Sequence, residues 1–296
     1  MELTRKEFIL LTALAEAKDT MSQRELAASG GMSIGSVNRL LRNLSERGYV
    51  KAGRLTPDGL LALEPYRVKR AVFMAAGFGA RMVPITLNTP KPLIRVRGQR
   101  IIDTLLDAVL AAGIEEIYIV RGYLAEEFDQ LLYKYPMIHF IENPVYNESN
   151  NISSMFCACG HLQNAYVLEG DLLLYHPGLI TKYQYESNYL AVPVERTDDW
   201  CFRVENDIIK EVMVGGTNCY HMFGISYWTA EDGAKLVDHI KQVYQAPGGK
   251  ERLFEHVPLT YYKDQYSVHI RPCSFEDLVE IDTFNELKTL DASYGV

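Results

Sequence analysis

Gly77 and Gly79 with the cations Arg81 and Lys91, in the stretch Arg70-Ala-Val-Phe-Met-Ala-Ala-Gly-Phe-Gly-Ala-Arg81 through Pro90-Lys91-Pro92, could do chemistry on a phosphate chain. The apolar run Ala71 to Met74 reads as a buried parallel strand, and Gly77 and Gly79 follow it at once. A strand that runs into small residues exposes backbone N–H groups with no Cβ in the way. Such a loop can wrap phosphates, with Arg81 and Lys91 as neutralising cations. The spacing alone is not decisive. No Gly-Lys-Ser/Thr follows, and the full GxGxxG of a dinucleotide fold is absent.

The elements that must hold this loop are those of a parallel sheet. Gln99 to Gly113 reads as a helix, Glu116 to Val120 as a strand and Ala125 to Tyr135 as a helix. His139 to Glu142 reads as a third strand, 152 to 162 as a helix, and Tyr166 to Glu169 as a fourth strand. Alternating strands and helices imply parallel pairing with right-handed crossovers, and ligands collect at the C-terminal ends of such strands. Gly122-Tyr123, the polar stretch Asn143 to Ser154 and Asp171 all fall there. Beyond Pro177 short alternating runs suit antiparallel pairing, with a tight turn at Asn206-Asp207. Helices are expected at Ala230 to Tyr244 and Lys250 to His256, and a last one after Asp282, where Glu286 completes a capping box on Thr283.

Residues 1–66 read differently. Thr4 and Glu7 form a capping-box pattern before a helix, and Ser22 and Ser33 open two more. Val37, Leu40, Leu41 and Leu44 line one face of the third. Tyr49-Val50 and Arg54 to Thr56 suggest a small hairpin wing, and Asp58-Gly59 turns into a final helical piece. The segment resembles the winged helix-turn-helix of MarR-like regulators, with Glu64-Pro65-Tyr66 expected as a linker. The resemblance implies DNA contact through Asn38, Arg39 and Arg42. However, nine Lys/Arg stand against eight Asp/Glu there, a weak footprint for DNA. The alternative is a protein-interaction or dimerisation module, which leaves a homodimer open.

The net charge of -8 disfavours a non-specific nucleic-acid coat. Five cysteines, an odd number with no CxxC pair, argue against a disulfide framework and for a reduced, cytoplasmic setting. No apolar run approaches the roughly 18 residues of a membrane span.

Several stretches together carry a second resemblance. They are Ala75-Ala76-Gly77-Phe78-Gly79-Ala80-Arg81-Met82, Thr89-Pro90-Lys91-Pro92-Leu93, Val120 to Leu124, the Ser149 to Ser154 loop, and Glu169-Gly170-Asp171. Trp200, Phe223 to Trp228 and Glu280-Ile281-Asp282 continue it. These resemble the sugar-nucleotide pyrophosphorylases and related nucleotidyltransferases, and among them the lic-type choline-phosphate cytidylyltransferases of bacteria, along the whole of residues 67–296. The resemblance implies an α/β fold with a mixed, mainly parallel Rossmann-like sheet after the winged-helix domain. It implies that CTP and choline phosphate become CDP-choline and pyrophosphate, with Mg²⁺ on Asp171 and Asp282. It makes Lys91, Arg81 and Asp171 catalytic. It assigns nucleotide binding to Ala75, Ala76, Gly77, Phe78, Gly79, Arg81, Lys91, Gly122, Tyr123, Asn151 and Ser154. Glu169 departs from the relatives' pattern.

A quaternary ammonium prefers aromatic faces. Trp200, in the polar run Thr197-Asp198-Asp199-Trp200, is the first candidate for the head group, with Tyr189, Tyr227 and Trp228 behind it and Asp198 or Asp199 as a carboxylate partner. 2-Aminoethylphosphonate or ethanolamine phosphate would use the same reaction with a primary ammonium. A DNA-binding regulator that senses a nucleotide is the rival of a different class.

Overall fold

The computed structural model describes residues 2–17 and 19–295; Met1, Lys18 and Val296 lie outside the described residues. The chain divides into two compact units, Met1–Arg67 with Tyr183–Tyr185, and Val68–Lys182 with Glu186–Val296.

In the first unit α1 (Arg5–Glu16) starts at Thr4, and the expected capping box is present. Thr4 Oγ1 accepts the Glu7 N–H, and the Glu7 carboxylate accepts the Thr4 N–H at 2.8 Å. Ser22 and Glu25 cap α2 (Gln23–Ser29) in the same way, and Ser33 caps α3 (Ile34–Glu46). The wing is β1 (Val50–Lys51) paired antiparallel with β2 (Arg54–Leu55), and α4 (Pro57–Leu63) follows. Leu10, Leu11, Leu26, Val37, Leu44 and Leu63 fill the core, leaving Asn38, Arg39 and Arg42 exposed on α3. Glu64-Pro65-Tyr66 is not a linker but a 3-10 turn that belongs to this unit. The Tyr66 ring stacks on Tyr185 at 5.4 Å and packs against Phe8, and its hydroxyl accepts the Leu3 N–H at 3.1 Å. Burial of an aromatic ring outweighs the local bias of the proline.

The second unit contains β3 (Arg70–Met74), the small hairpin β4 (Arg95–Val96) and β5 (Gln99–Arg100), and α5 (Ile101–Ala111). It continues with β6 (Glu116–Arg121), β7 (Ile138–Glu142), α6 (Ile152–Ala158), β8 (Ala165–Glu169) and β9 (Leu172–Leu174). Then come β10 (Asn188–Glu205), β11 (Ile208–Trp228), α7 (Ala230–Gln245), β12 (His269–Pro272), β13 (Leu278–Glu280) and α8 (Phe284–Leu290). The central sheet has the order β10-β12-β11-β8-β3-β6-β7. Strands β8, β3, β6 and β7 are parallel, and β11 runs antiparallel to β8. Successive residues of β3 alternate between the two cores. Ala71 and Phe73 pack with Leu105, Leu106 and Val109 of α5, while Val72 packs with Met155 of α6 and Leu236 of α7. Both faces are covered, which is why the strands read as continuous apolar runs.

Three expectations change. Ala125–Tyr133 is 3-10 rather than α-helical, and the helix expected over 152–162 ends at Ala158 with a 3-10 turn over Cys159–His161. Residues 250–255 form turns instead of a helix, because their polar groups are engaged elsewhere, and helical backbone begins only at His256 before the π-helical turn Val257–Tyr261. The Lys250 carbonyl accepts from Asn150 N–H and Ser149 Oγ, both at 2.7 Å, and the Phe254 N–H donates to Asn151 Oδ1 at 2.8 Å. The runs expected past Pro177 fuse into the two long strands β10 and β11. These turn at Asn206-Asp207, both with positive φ, the backbone that a tight hairpin of this hand requires.

Candidate active site

The loop after β3 is tied to the sheet by its backbone. The Ala75 N–H donates to Val120 O at 2.9 Å and the Tyr123 N–H to Ala76 O at 3.0 Å. Gly77 has open space where a side chain would stand. Gly79 adopts φ +66°, and a Cβ there would press on Lys91 at 3.2 Å. The glycines thus leave the amide face free and let Lys91 fold beneath it.

Lys91 is only 8% exposed. Its Nζ donates to Asp171 Oδ2 at 2.6 Å and to Asp282 Oδ1 at 2.8 Å, and Arg81 reaches the same Asp282 oxygen at 2.8 Å. Burial opposes the ammonium charge, but the two aspartates outweigh it and hold the Lys91 pKa above its ordinary value. Burial likewise works against the Asp282 carboxylate, and Lys91 and Arg81 reverse it, so that pKa is lowered. Pairing of β13 with β9 brings the distant Glu280 and Asp282 to Asp171.

Carboxylate oxygens of Glu169, Asp171 and Glu280 lie within 4.8 Å of one another. Burial and the neighbouring acids push the Glu169 carboxyl well up, and burial with Asp171 and Asp282 pushes Glu280 to about 8. Asp171 Oδ1 is buried with no hydrogen-bond partner. A crowd of oxygen donors, one of them orphaned, with Lys91 and Arg81 as its cations, has the chemistry of a hard divalent-cation site. Gly224 makes room for it: a Cβ there would overlap the Glu169 carboxylate.

Two cavities flank the acids. One, of about 250 Å³, is walled by Ala76 and Gly77 of the loop and by Asn143, Tyr146, Asn151 and Ser154. The other, of about 240 Å³, is walled by Arg81, Asp199, Trp200, Met222, Glu255, Glu280 and Asp282. Asn151, Glu169 and Asp171 line both. A phosphate chain above the acids would be open to a second reactant from the other side.

Residues 71–254 match the MobA-like NTP transferase domain. The chain belongs to that family. Residues 2–59 match the MarR family, so the transferase carries an N-terminal MarR-type domain. It is 34% identical to a 2-aminoethylphosphonate cytidylyltransferase of Lancefieldella rimae, over 76% of this chain and 92% of the relative. It is 27% identical to a choline-phosphate cytidylyltransferase of Streptococcus pneumoniae, over 75% and 96%. The solved structure of CTP:phosphocholine cytidylyltransferase from Streptococcus pneumoniae superposes with TM-score 0.71 at 28% identity, covering 77% of this chain and 99% of that one. The second unit is a nucleotidyltransferase enzyme. No helix among the described residues is long and apolar enough to cross a membrane.

The transferase brings most of the expected residues together, though not all. Ala76, Gly77, Asn151, Ser154 and Asp171 line the first cavity, and Arg81, Trp200 and Asp282 the second. Ala75 lies buried in the loop's root. Phe78 packs edge-on against Tyr123 at 4.6 Å, and the Tyr123 hydroxyl donates to Thr86 O at 2.8 Å, so this pair braces the Pro-rich loop. Gly122 is needed for close approach, since a Cβ there would lie 2.7 Å from the Tyr146 ring.

Three head-group candidates are corrected. Tyr189, Tyr227 and Trp228 are 1%, 1% and 0% exposed. Tyr189 packs edge-on against Phe202 and Trp228, the Tyr227 hydroxyl donates to Asn164, and Trp228 Nε1 donates to Ser226. They sit on strands covered on both faces, where large aromatics are core. Trp200 instead stands on the cavity wall, edge-on to His256 at 5.7 Å. Of the two neighbouring acids, Asp199 lines the cavity, while Asp198 faces Arg196.

Glu255, Asn143 and Tyr146 escaped the sequence reading. Glu255 is buried and its Oε2 accepts from Asn151 Nδ2 at 3.1 Å. Asn143 Nδ2 donates to the hydroxyls of Ser153 and Ser154 at 2.9 and 3.1 Å. Asn143 opens the polar loop and could have been found there. Glu255 carried no signal, because the helix expected over 250–256 gave it no reason to face the Asn loop.

Proposed function

We propose that the second unit is a Mg²⁺-dependent cytidylyltransferase whose acceptor is a small phosphonate or phosphate with a primary ammonium, of the 2-aminoethylphosphonate type. An acceptor oxygen attacks the α-phosphorus of CTP in line, the bond to the bridging oxygen breaks, and pyrophosphate leaves. The nucleophile is already anionic, so positioning and charge neutralisation do most of the work.

The amides at Ala76 to Gly79 hold the triphosphate. The polar cavity of Asn143, Asn151 and Ser154 takes the nucleoside. Lys91 and Arg81 exchange their contacts with Asp282 for phosphate oxygens, Lys91 at the α-phosphate and Arg81 at the departing pyrophosphate. Asp171, with its orphan Oδ1, and Glu280 and Asp282 beside it would hold the cation. When bound, that cation polarises the α-phosphate and offsets the charge of the leaving group.

The observation that carries the acceptor class is the wall of the second cavity, where the acids Asp199 and Glu255 accompany a single aromatic, Trp200. A primary ammonium has three N–H donors that carboxylates satisfy, whereas a quaternary ammonium has none and favours an aromatic cage. The 34% identity to a 2-aminoethylphosphonate cytidylyltransferase supports the same choice. Choline phosphate is the second reading, favoured by Trp200 and by the likeness to the Streptococcus pneumoniae choline-phosphate enzyme.

Competition decides between them. With limiting CTP and equal 2-aminoethylphosphonate and choline phosphate, the product ratio equals the ratio of kcat/KM values. The expected outcome is a CMP-aminoethylphosphonate excess of about tenfold or more, the worth of one buried charge contact. An excess of CDP-choline would return the assignment to choline phosphate.

A further inference from the structure

Away from the acid cluster, β10 and β11 bend over each other and gather sulfur. Cys201 lies opposite Met213 in one ladder and opposite His221 in the next, which places Cys219, two residues before His221, diagonal to it. At the bend Gly215 adopts φ +74°. A Cβ on the adjoining Gly216 would stand 3.0 Å from Cys201 Sγ, 3.1 Å from Cys219 Sγ and 3.5 Å from Met213 Sδ. One point beside a residue with no side chain therefore sits within reach of two thiols and a thioether. Cys201 and Cys219 are 0% and 5% exposed, and both are free thiols.

We propose that Cys201, Cys219 and Met213 form a binding site for a single monovalent thiophilic cation, Cu(I) being the representative ion. Soft thiolate and thioether donors select such an ion, and carboxylate-seeking cations such as Mg²⁺ gain nothing from them. Zinc is less suited, since it favours a fourth nitrogen or sulfur ligand in tetrahedral array. The long, polarizable Met213 arm adjusts to close the site. Binding breaks two S–H bonds, forms two Cu–S bonds and a thioether contact, and releases two protons to solvent with no change in oxidation state. Burial, and then the Cys219 thiol, push the Cys201 pKa up to about 11. Cys201 is thus a thiol at neutral pH, and the ion displaces its proton as it binds. Cys201 directly follows Trp200, so an occupied site pins the strand that carries the acceptor cavity's aromatic wall.

The test is an anaerobic titration of the full, reduced chain with Cu(I) against a chromophoric Cu(I) chelator. Thiolate-to-copper absorption in the near ultraviolet is followed together with chelator loss. The wild-type chain should withdraw one equivalent, Cys201→Ser and Cys219→Ser should withdraw none, and Cys157→Ser should behave as wild type. Met213→Leu keeps the apolar shape and the fold, and should surrender its copper to a lower chelator concentration. The proposal fails if the wild-type chain takes no copper from the chelator, if either Cys-to-Ser variant takes as much as wild type, or if Met213→Leu holds copper unchanged. The readout is metal binding, so neither the acceptor nor the nucleotide assignment affects it.

Discussion

An Asp171→Ala enzyme is expected to keep its fold and lose on the order of 10³-fold in kcat, the worth of several kcal/mol of transition-state charge stabilisation. Asp171 is the residue where the site's demands meet. It lines both cavities, takes Lys91 at 2.6 Å through one oxygen and leaves the other without a partner. The fold survives because Lys91 retains Asp282 at 2.8 Å, and because one of several crowded acids has been removed. Steady-state turnover and a melting curve check both halves. Activity above about a tenth of wild type, with the fold intact, would remove Asp171 from the metal assignment.

Lys91→Met should cost both stability and turnover. It leaves Asp171 and Asp282 without the buried cation that both now face, and breaking a buried pair costs about 3 kcal/mol or more. Urea unfolding at pH 7 measures it. The sign with pH follows from the shifts. Asp282 is lowered from 3.8, so its contribution is present above that value and lost as pH falls through its folded value. Lys91 is raised from 10.5, so its contribution is present below that value and lost as pH rises through its own. The deficit of Lys91→Met therefore shrinks on acidification through the aspartate range. A deficit that grows below the ordinary aspartate pKa would contradict the pairing.

The fold was legible where local pattern and tertiary demand agree. Capping boxes at Thr4 and Thr283 are visible in sequence because the cap and its Glu lie three residues apart, and they are present. The grouping of the loop with its cations was legible for the same reason, since Gly77, Gly79, Arg81 and Lys91 fall within one short segment. Tyr66 misled because its stacking partner Tyr185 is far along the chain. Tyr227 and Trp228 misled because an aromatic in sequence does not declare which face of a covered sheet it joins. The meeting of Glu280 with Asp171 depends on the β9–β13 pairing, which no local signal announces. Glu255 was hidden because residues 250–256 answer to Ser149, Asn150 and Asn151 and not to their own helical periodicity.

The proposed work of this cluster of acids and cations is transfer of CMP from CTP to a phospho-acceptor. The direct measurement is pyrophosphate release by the full chain with CTP and Mg²⁺, with and without 2-aminoethylphosphonate. The expected result is release that depends on acceptor, stops on chelation of the cation, and matches a CMP–phosphonate product mole for mole. No release above background with 2-aminoethylphosphonate, choline phosphate or ethanolamine phosphate would contradict it.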